Sequence, residues 1–332
     1  VSTKRKITVI AIALAVFILI FAVSFFAGNY RIPAGGVLSY ISGGGGINEN
    51  ERFIIFEVRL PRIVMASVTG TVLAAAGVSM QAIFKNPLVS PFVIGLSSGA
   101  ALGAAVGIVY LNASAAAVES LAFLFGIIAV FSSYILSGFG RETTLLLLFG
   151  LVATSFSHSA IGLMQYFADP EHQLPALTFW MLGGFDAITL SSLKYSLPVI
   201  FVCLVILYAY SYKMNLLTLG DAEARSLGVN VKMSKFIIIF FSTLMVCACV
   251  SKAGVIGWIG LTVPHISRII LGPDNRFVFV ASSVLGAIFL LVSDDLARTL
   301  TPGEIPVGII TSAIGAPVFA AILLRYRKSG WN

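Results

Sequence analysis

Long apolar runs fill most of this chain, and short polar breaks separate them. Such runs carry neither the polar face of a surface helix nor the alternation of a half-buried strand. At 1.5 Å per residue, about 20 apolar residues are needed to cross roughly 30 Å of hydrocarbon. By that measure the runs predict about ten spanning helices, at 7–27, 63–83, 91–111, 117–136, 144–167, 193–212, 236–250, 254–271, 277–298 and 306–325. Only Ser251 to Ala253 separates the seventh from the eighth. The expected fold class is an all-α integral membrane protein, with residues 1–332 forming a single membrane domain.

Two polar stretches interrupt the pattern, at 28–62 and 213–235. The second carries Asp221, Glu223, Arg225 and Lys232 and reads as a short amphipathic helix. Leu216, Leu217, Leu219 and Leu227 could fill an apolar groove on a partner while the charges make polar rim contacts. A solvated loop whose charges only set topology is the other reading. The 28–62 stretch includes Gly43 to Gly46, but no lysine and hydroxyl residue follow as a phosphate loop requires, so a flexible connection is expected.

Composition agrees with a membrane chain: 58% of residues are hydrophobic, 11% are charged, and mean hydropathy is +1.00. A water-facing shell needs more charge than that. The formal charge of +7 does not indicate nucleic acid, because the basic residues sit at the ends of apolar runs instead of forming a stripe. Threading ten spans puts both termini on one side, together with two thirds of the 21 basic residues, Arg141 among them. The positive-inside rule makes that side, and the 213–235 stretch with it, cytoplasmic. Lys4, Arg5 and Lys6 precede a run too long for a typical signal sequence, so the run is taken as the first span. Cys203, Cys247 and Cys249 lie inside apolar runs and read as core residues, with no metal site. No Walker-type phosphate loop or nucleophile elbow is present, so any nucleotide hydrolysis belongs to another chain.

Several short segments point further: RLPR at 59–62, GVSMQ at 77–81, NPL at 86–88, GLSSG at 95–99 and WMLGGF at 180–185. LGDAEARSLG follows at 219–228, then GWIGLTVPHISR at 257–268, EIPVG at 304–308 and GAPVF at 315–319. In these segments and their order the chain resembles, over nearly its full length, the permease subunits of ATP-binding-cassette importers for iron-siderophores, haem and cobalamin.

The resemblance implies the type II importer architecture. Two permeases, identical or paralogous, surround a pathway in the plasma (inner) membrane of a prokaryote. Two cytoplasmic ATPase subunits carry ATP and magnesium, and an extracytoplasmic binding protein delivers cargo. This chain itself is expected to bind no cofactor and to perform no catalysis. It also implies site residues. Leu219, Gly220, Asp221, Glu223, Ala224, Arg225, Leu227 and Gly228 would form the coupling element, two short helices in a cleft of the ATPase. Arg59, Arg62 and Arg298 would receive acids of the binding protein through bidentate geometry. Snorkelling or local pairing is the alternative for these arginines, most of all at Arg298, where Asp294 and Asp295 lie one turn upstream. Asn86, Leu88, Thr143 and Thr144 match positions where the pathway narrows to a cytoplasmic gate.

The fifth run contains Thr154, Ser155, Ser157, His158 and Ser159, polar residues that are unusual mid-membrane. The resemblance makes His158 a pathway-lining candidate, against a neutral histidine satisfied by a neighbouring helix. An ion-gradient-driven transporter is the alternative function. It would bury acids near the bilayer midplane, whereas here the acids lie at span ends, with Glu119 and Asp294 as near-exceptions. Cargo is not legible, since siderophores, haem, cobalamin and even oxyanions pass through similar permeases.

Overall fold

The computed structural model describes residues 2–28, 30, 33, 48–140 and 142–329, with side chains described as far as Leu324. Among them every regular element is a helix. These are α1 (Thr3–Ser24), α2 (Glu49–Phe84), α3 (Leu96–Tyr110), α4 (Ala115–Leu136), α5 (Thr143–Phe167), α6 (Gln173–Leu182) and α7 (Leu190–Ala209). They continue as α8 (Ser211–Leu219), α9 (Asp221–Ser226), α10 (Val231–Ala253), α11 (Ile259–Leu271), α12 (Asn275–Ala297) and α13 (Val307–Ser329). Of the described helices, 8 are long and apolar enough to cross a membrane. The apolar helices α3 and α11 are shorter, and with them each expected run finds its helix.

Two boundaries differ from expectation. The stretch expected as a connection at 28–62 is helical from Glu49 onward. Asn48 starts that helix with a capping box: its Oδ1 accepts from Glu51 N at 2.8 Å while Glu51 Oε2 accepts from Asn48 N at 2.9 Å. Pro61 does not break it, because residues 54–59 are π-helical and the Leu60 N–H reaches back to Ile55 O, absorbing the register change. Gly43 to Gly46 lie outside the described residues. The polar insert also ends earlier than 235. Asn230 caps α10, its Oδ1 accepting from Met233 N at 3.0 Å, and this draws Lys232 and Lys235 into the first turns of a spanning helix. Hydropathy counting misses such a start because capped first turns are polar.

The centre of the bundle is α2. Its sequence is small or apolar on every side, and nearly all of its residues from Pro61 to Phe84 are buried, which a core helix requires. Gly70 crosses Gly286 of α12 so closely that a Cβ at either glycine would sit 2.1 or 2.3 Å from the other's carbonyl oxygen. Small residues permitting backbone approach are the usual means of packing helices inside a membrane. By contrast α1 is almost wholly exposed, as an apolar helix at a lipid boundary can be. The three cysteines are free and buried.

Polar side chains gather at the two ends. One end joins the α2 C-terminus, α8, α9 and the N-termini of α5, α10 and α12, and is called here the platform end. The other joins the α1 C-terminus, the first half of α2 and the α12 C-terminus, and is called the arginine end. Near the latter, Gly184 N donates to Ala253 O at 2.9 Å and Gly308 N to Gly183 O at 3.4 Å, so the breaks before α7, α11 and α13 meet.

Candidate functional site

The platform is built into the bundle. Helix α8 buries Met214 and Leu217, and α9 buries Ala224. Leu217 is only 1% exposed, so it anchors the platform and is not available to a partner, contrary to the expectation that it joins the groove-filling leucines. Gly220 joins the two helices at φ +143°, a backbone conformation that residues with a Cβ rarely adopt, which favours glycine in this turn. Asp221 opens α9 as a double anchor. Its Oδ2 accepts from Lys235 Nζ at 2.6 Å and its Oδ1 from Lys85 Nζ at 3.2 Å. Lys235 is itself buried, and Lys85 terminates α2 in the left-handed region at φ 51°. Burial opposes the Asp221 charge, but the hydrogen bond and charge of Lys235, followed by those of Lys85, hold its carboxyl below the usual range. What remains outward is Leu219, 62% exposed, with Leu227, Glu223 and Arg225, while Gly228 at φ +81° closes the segment.

A second polar set ties α8 to the core helices, and sequence reasoning missed it. Asn215 Nδ2 donates to Asp274 Oδ1 at 2.8 Å, and Asn215 Oδ1 accepts from Asn275 N at 2.7 Å. Asp274 also caps α12 and pairs with Arg276, Nη2 to Oδ2 at 2.8 Å. The Arg276 hydrogen bond, working against burial, and then that of Asn215 hold the Asp274 carboxyl well below the usual range. Buried Asn275 accepts through Oδ1 from Arg268 Nη2 at 3.4 Å, and Arg268 Nη1 donates to Gln81 Oε1. Gln81 Nε2 in turn donates to Leu261 O at 3.4 Å. The only sequence signal was an Asp-Asn pair before an apolar run, a helix N-cap pattern that names no distant partner.

At the opposite end the three arginines are internal. Arg59, Arg62 and Arg298 are 5%, 7% and 3% exposed, so their guanidinia are engaged within the chain and are not presented as free surface charges. Arg59 donates to Phe25 O and Tyr30 O, each at 2.5 Å. Arg62 grips Asp294, Nε to Oδ1 at 2.9 Å, and reaches Glu304 Oε2 through Nη1 at 2.7 Å. Arg298 lies 3.5 Å from Asp294 Oδ2, donates to Ser24 O at 2.9 Å and pairs with Asp295. Ser24 Oγ donates to Asp295 Oδ2 at 2.6 Å. Asp294 is fully buried between two guanidinia. Removing one partner from such a buried set costs about 3–5 kcal/mol, several times the roughly 0.2–1 kcal/mol of an exposed pair, so these arginines act first on structure. Local pairing, the alternative raised by the adjacent acids, is what the geometry contains.

The remaining candidates divide. Asn86 Oδ1 accepts from Leu88 N at 2.9 Å, an Asx turn that leaves Leu88 outward at the platform end. Thr143 and Thr144 begin α5 at the same end. His158 lies mid-helix on an exposed face of α5, with Ser155 one turn before it and Ser159 one turn after Ser155.

A helical bundle in which 8 of the described helices are long and apolar enough to cross a membrane defines a multi-pass membrane protein. The profile of the FecCD transport family matches residues 15–325, and the chain belongs to that family. It is 34% identical over 300 residues to the molybdate import system permease protein of Haemophilus influenzae, covering 86% of this chain and 85% of that one. To the hemin transport system permease protein of Yersinia pestis it is 37% identical over 287 residues, covering 83% and 84%. A solved metal-chelate type ABC transporter in an inward-facing conformation superposes with a TM-score of 0.88 at 31% identity, covering 96% of this chain and 99% of that one. The chain is thus a permease subunit of an ABC importer, and nothing in these relatives supports a gradient-driven carrier.

Proposed function

We propose that this chain lines the pathway of an ATP-driven importer for a metal chelate such as an iron-siderophore, haem or cobalamin, and that its platform docks a separate ATPase. The platform carries this reading: Met214, Leu217, Ala224 and Asp221 fix α8 and α9 to the bundle, while Leu219, Leu227, Glu223 and Arg225 face outward. A rigid knob with an apolar tip and a charged rim suits a cleft on a partner. Two ATPase subunits would bind ATP and magnesium and act on a pair of permeases.

The stripe of Ser155, His158 and Ser159 supports a second permease, identical or paralogous, across a wet pathway, because lipid is a poor neighbour for a mid-helix histidine. Asn86, Leu88, Thr143 and Thr144 would then narrow the pathway at the platform end. Both termini and the platform would be cytoplasmic in a prokaryotic inner membrane, following the basic residues. An extracytoplasmic binding protein would deliver cargo to the arginine end, where the buried arginines shape the receiving surface and do not offer free charge.

Replacing Glu223 and Arg225 together with alanine is expected to leave the permease inserted while the ATPase no longer co-purifies, or hydrolyses ATP without uptake. Unchanged co-purification and unchanged transport would remove the docking assignment.

A further inference from the structure

We propose that Asn215 is the positioning residue through which movement of the platform reaches α12 and, through it, α11 and α2, whose C-terminus leads into the segment holding Asn86 and Leu88. The proposal rests on the reading of α8 and α9 as the ATPase contact. Three helices, α2, α11 and α12, are packed closely together along their length. A Cβ at Gly77 would lie 2.0 Å from Gly260 O, and one at Gly70 would lie 2.1 Å from Gly286 O, so α11 and α12 both pack backbone to backbone against α2. The same three helices are joined by side chains. Asn275 of α12 accepts from Arg268 of α11, Arg268 donates to Gln81 of α2, and Gln81 donates back to Leu261 O in α11. That closes a circuit of directional bonds, which moves together or breaks, because a buried amide or guanidinium without a partner is unfavourable.

Asn215 is the handle on this set of helices. Its single amide uses both ends on α12, donating to Asp274 at 2.8 Å and accepting from the Asn275 backbone at 2.7 Å. The neighbouring contacts of α8, through Met214 and Leu217, are apolar and carry no direction. The other polar anchor, Asp221 on Lys85 and Lys235, ties α9 to the C-cap of α2 and the first turns of α10, so Asn215 is the anchor that reaches α12. A displacement of α8 is therefore passed by Asn215 to the N-terminus of α12, and from there by Asn275 and Arg268 to α11 and α2.

The test uses the full transporter, permease pair with its ATPase, in proteoliposomes. Asn215→Leu keeps the number of side-chain heavy atoms and removes both bonds, and the smaller Asn215→Ala is the second variant. Three quantities are read: ATPase co-purification, melting temperature, and uptake per ATP hydrolysed. The cargo probe is haem, cobalamin, a ferric siderophore or molybdate, whichever the wild type accumulates. A cargo-independent readout is the ATP-dependent change in maleimide labelling of Leu88→Cys, against native cysteines that are buried.

Co-purification should stay at its wild-type value and melting should fall only modestly, from the unpaired Asn275 N–H, while uptake per ATP falls about fivefold or more, as a coupling of about 1 kcal/mol implies, and the ATP-dependent change at position 88 is lost. The reciprocal pair Asn215→Asp with Asp274→Asn restores one carboxylate facing one amide and should recover most of the ratio. A wild-type ratio in both single variants overturns the proposal. So does a loss of ratio that comes with a strongly lowered melting temperature and is not recovered by the reciprocal pair, since that marks a purely structural residue. Failure of the docking reading is separate, because it appears in the Glu223 and Arg225 variant whatever Asn215 does.

Discussion

Both ends of the bundle hold a partly or fully buried arginine against α2 and α12, but they satisfy it differently. At the arginine end, three guanidinia share space with three carboxylates, Asp294, Asp295 and Glu304. At the platform end, Arg268 donates to the amide oxygens of Gln81 and Asn275. Charge-assisted bonds to carboxylates are about twice as strong as neutral ones, so the first arrangement locks α1, α2 and α12 together. The second is a lighter set of contacts that can be moved from outside. The arginine end is the more tightly tied of the two, and the platform end the more lightly tied.

The largest expected effect comes from breaking the arginine end. Asp294→Ala leaves Arg62 and Arg298 buried without their shared carboxylate and should cost about 3–5 kcal/mol, read as a large fall in melting temperature in detergent. That fall should change little between low and high salt, because the site is hardly accessible to ions. Asp221→Asn should cost less, about 1.5–3 kcal/mol, since the amide oxygen can still accept from buried Lys235 and Lys85 keeps its contact with water. Its effect should shrink as salt rises. Equal losses for the two variants, or a matching salt response, would erase the contrast between the ends.

A smaller effect concerns pH. The Asp221 carboxyl lies below its ordinary value of 3.8 in the folded chain. Its pairs with Lys235 and Lys85 therefore stabilise the platform fully above that value and are lost as pH falls through the lowered one. Amide hydrogen exchange across α9, corrected for the intrinsic pH dependence, should show protection holding at mild acidity and failing only below the ordinary carboxylate range. Loss of protection between pH values of about 5 and 7, where histidine titrates, would contradict this assignment.

Much of this molecule was legible in the sequence because apolar runs of spanning length have few other uses in a chain. Each of the runs became a helix, and the 219–228 segment became a turn and a short helix with Gly220 where the backbone favours glycine. What the sequence hid was pairing. Arg59, Arg62 and Arg298 look like surface cations when read alone, since nothing local shows that Arg62 meets Asp294 across 232 positions. Only Arg298, with its acids one turn away, carried a local warning. Asn215 was invisible for the same reason: a single asparagine in a polar stretch becomes a link only when Asp274 and Asn275 fold against it. The early start of α2 was hidden by Pro61 and the charges around it, which a π-helical stretch accommodates.

The central claim is that the two ends have separate duties, and a crossed comparison in one reconstituted system tests it most directly. Asp294→Ala and the paired replacement of Glu223 and Arg225 by alanine are each assayed for melting temperature of the isolated permease and for ATPase retention by the assembled complex. The account predicts that Asp294→Ala lowers the melting temperature strongly, while the platform variant melts like wild type and fails to hold or couple the ATPase. A platform variant that melts low, or one that retains a fully coupled ATPase, would contradict it.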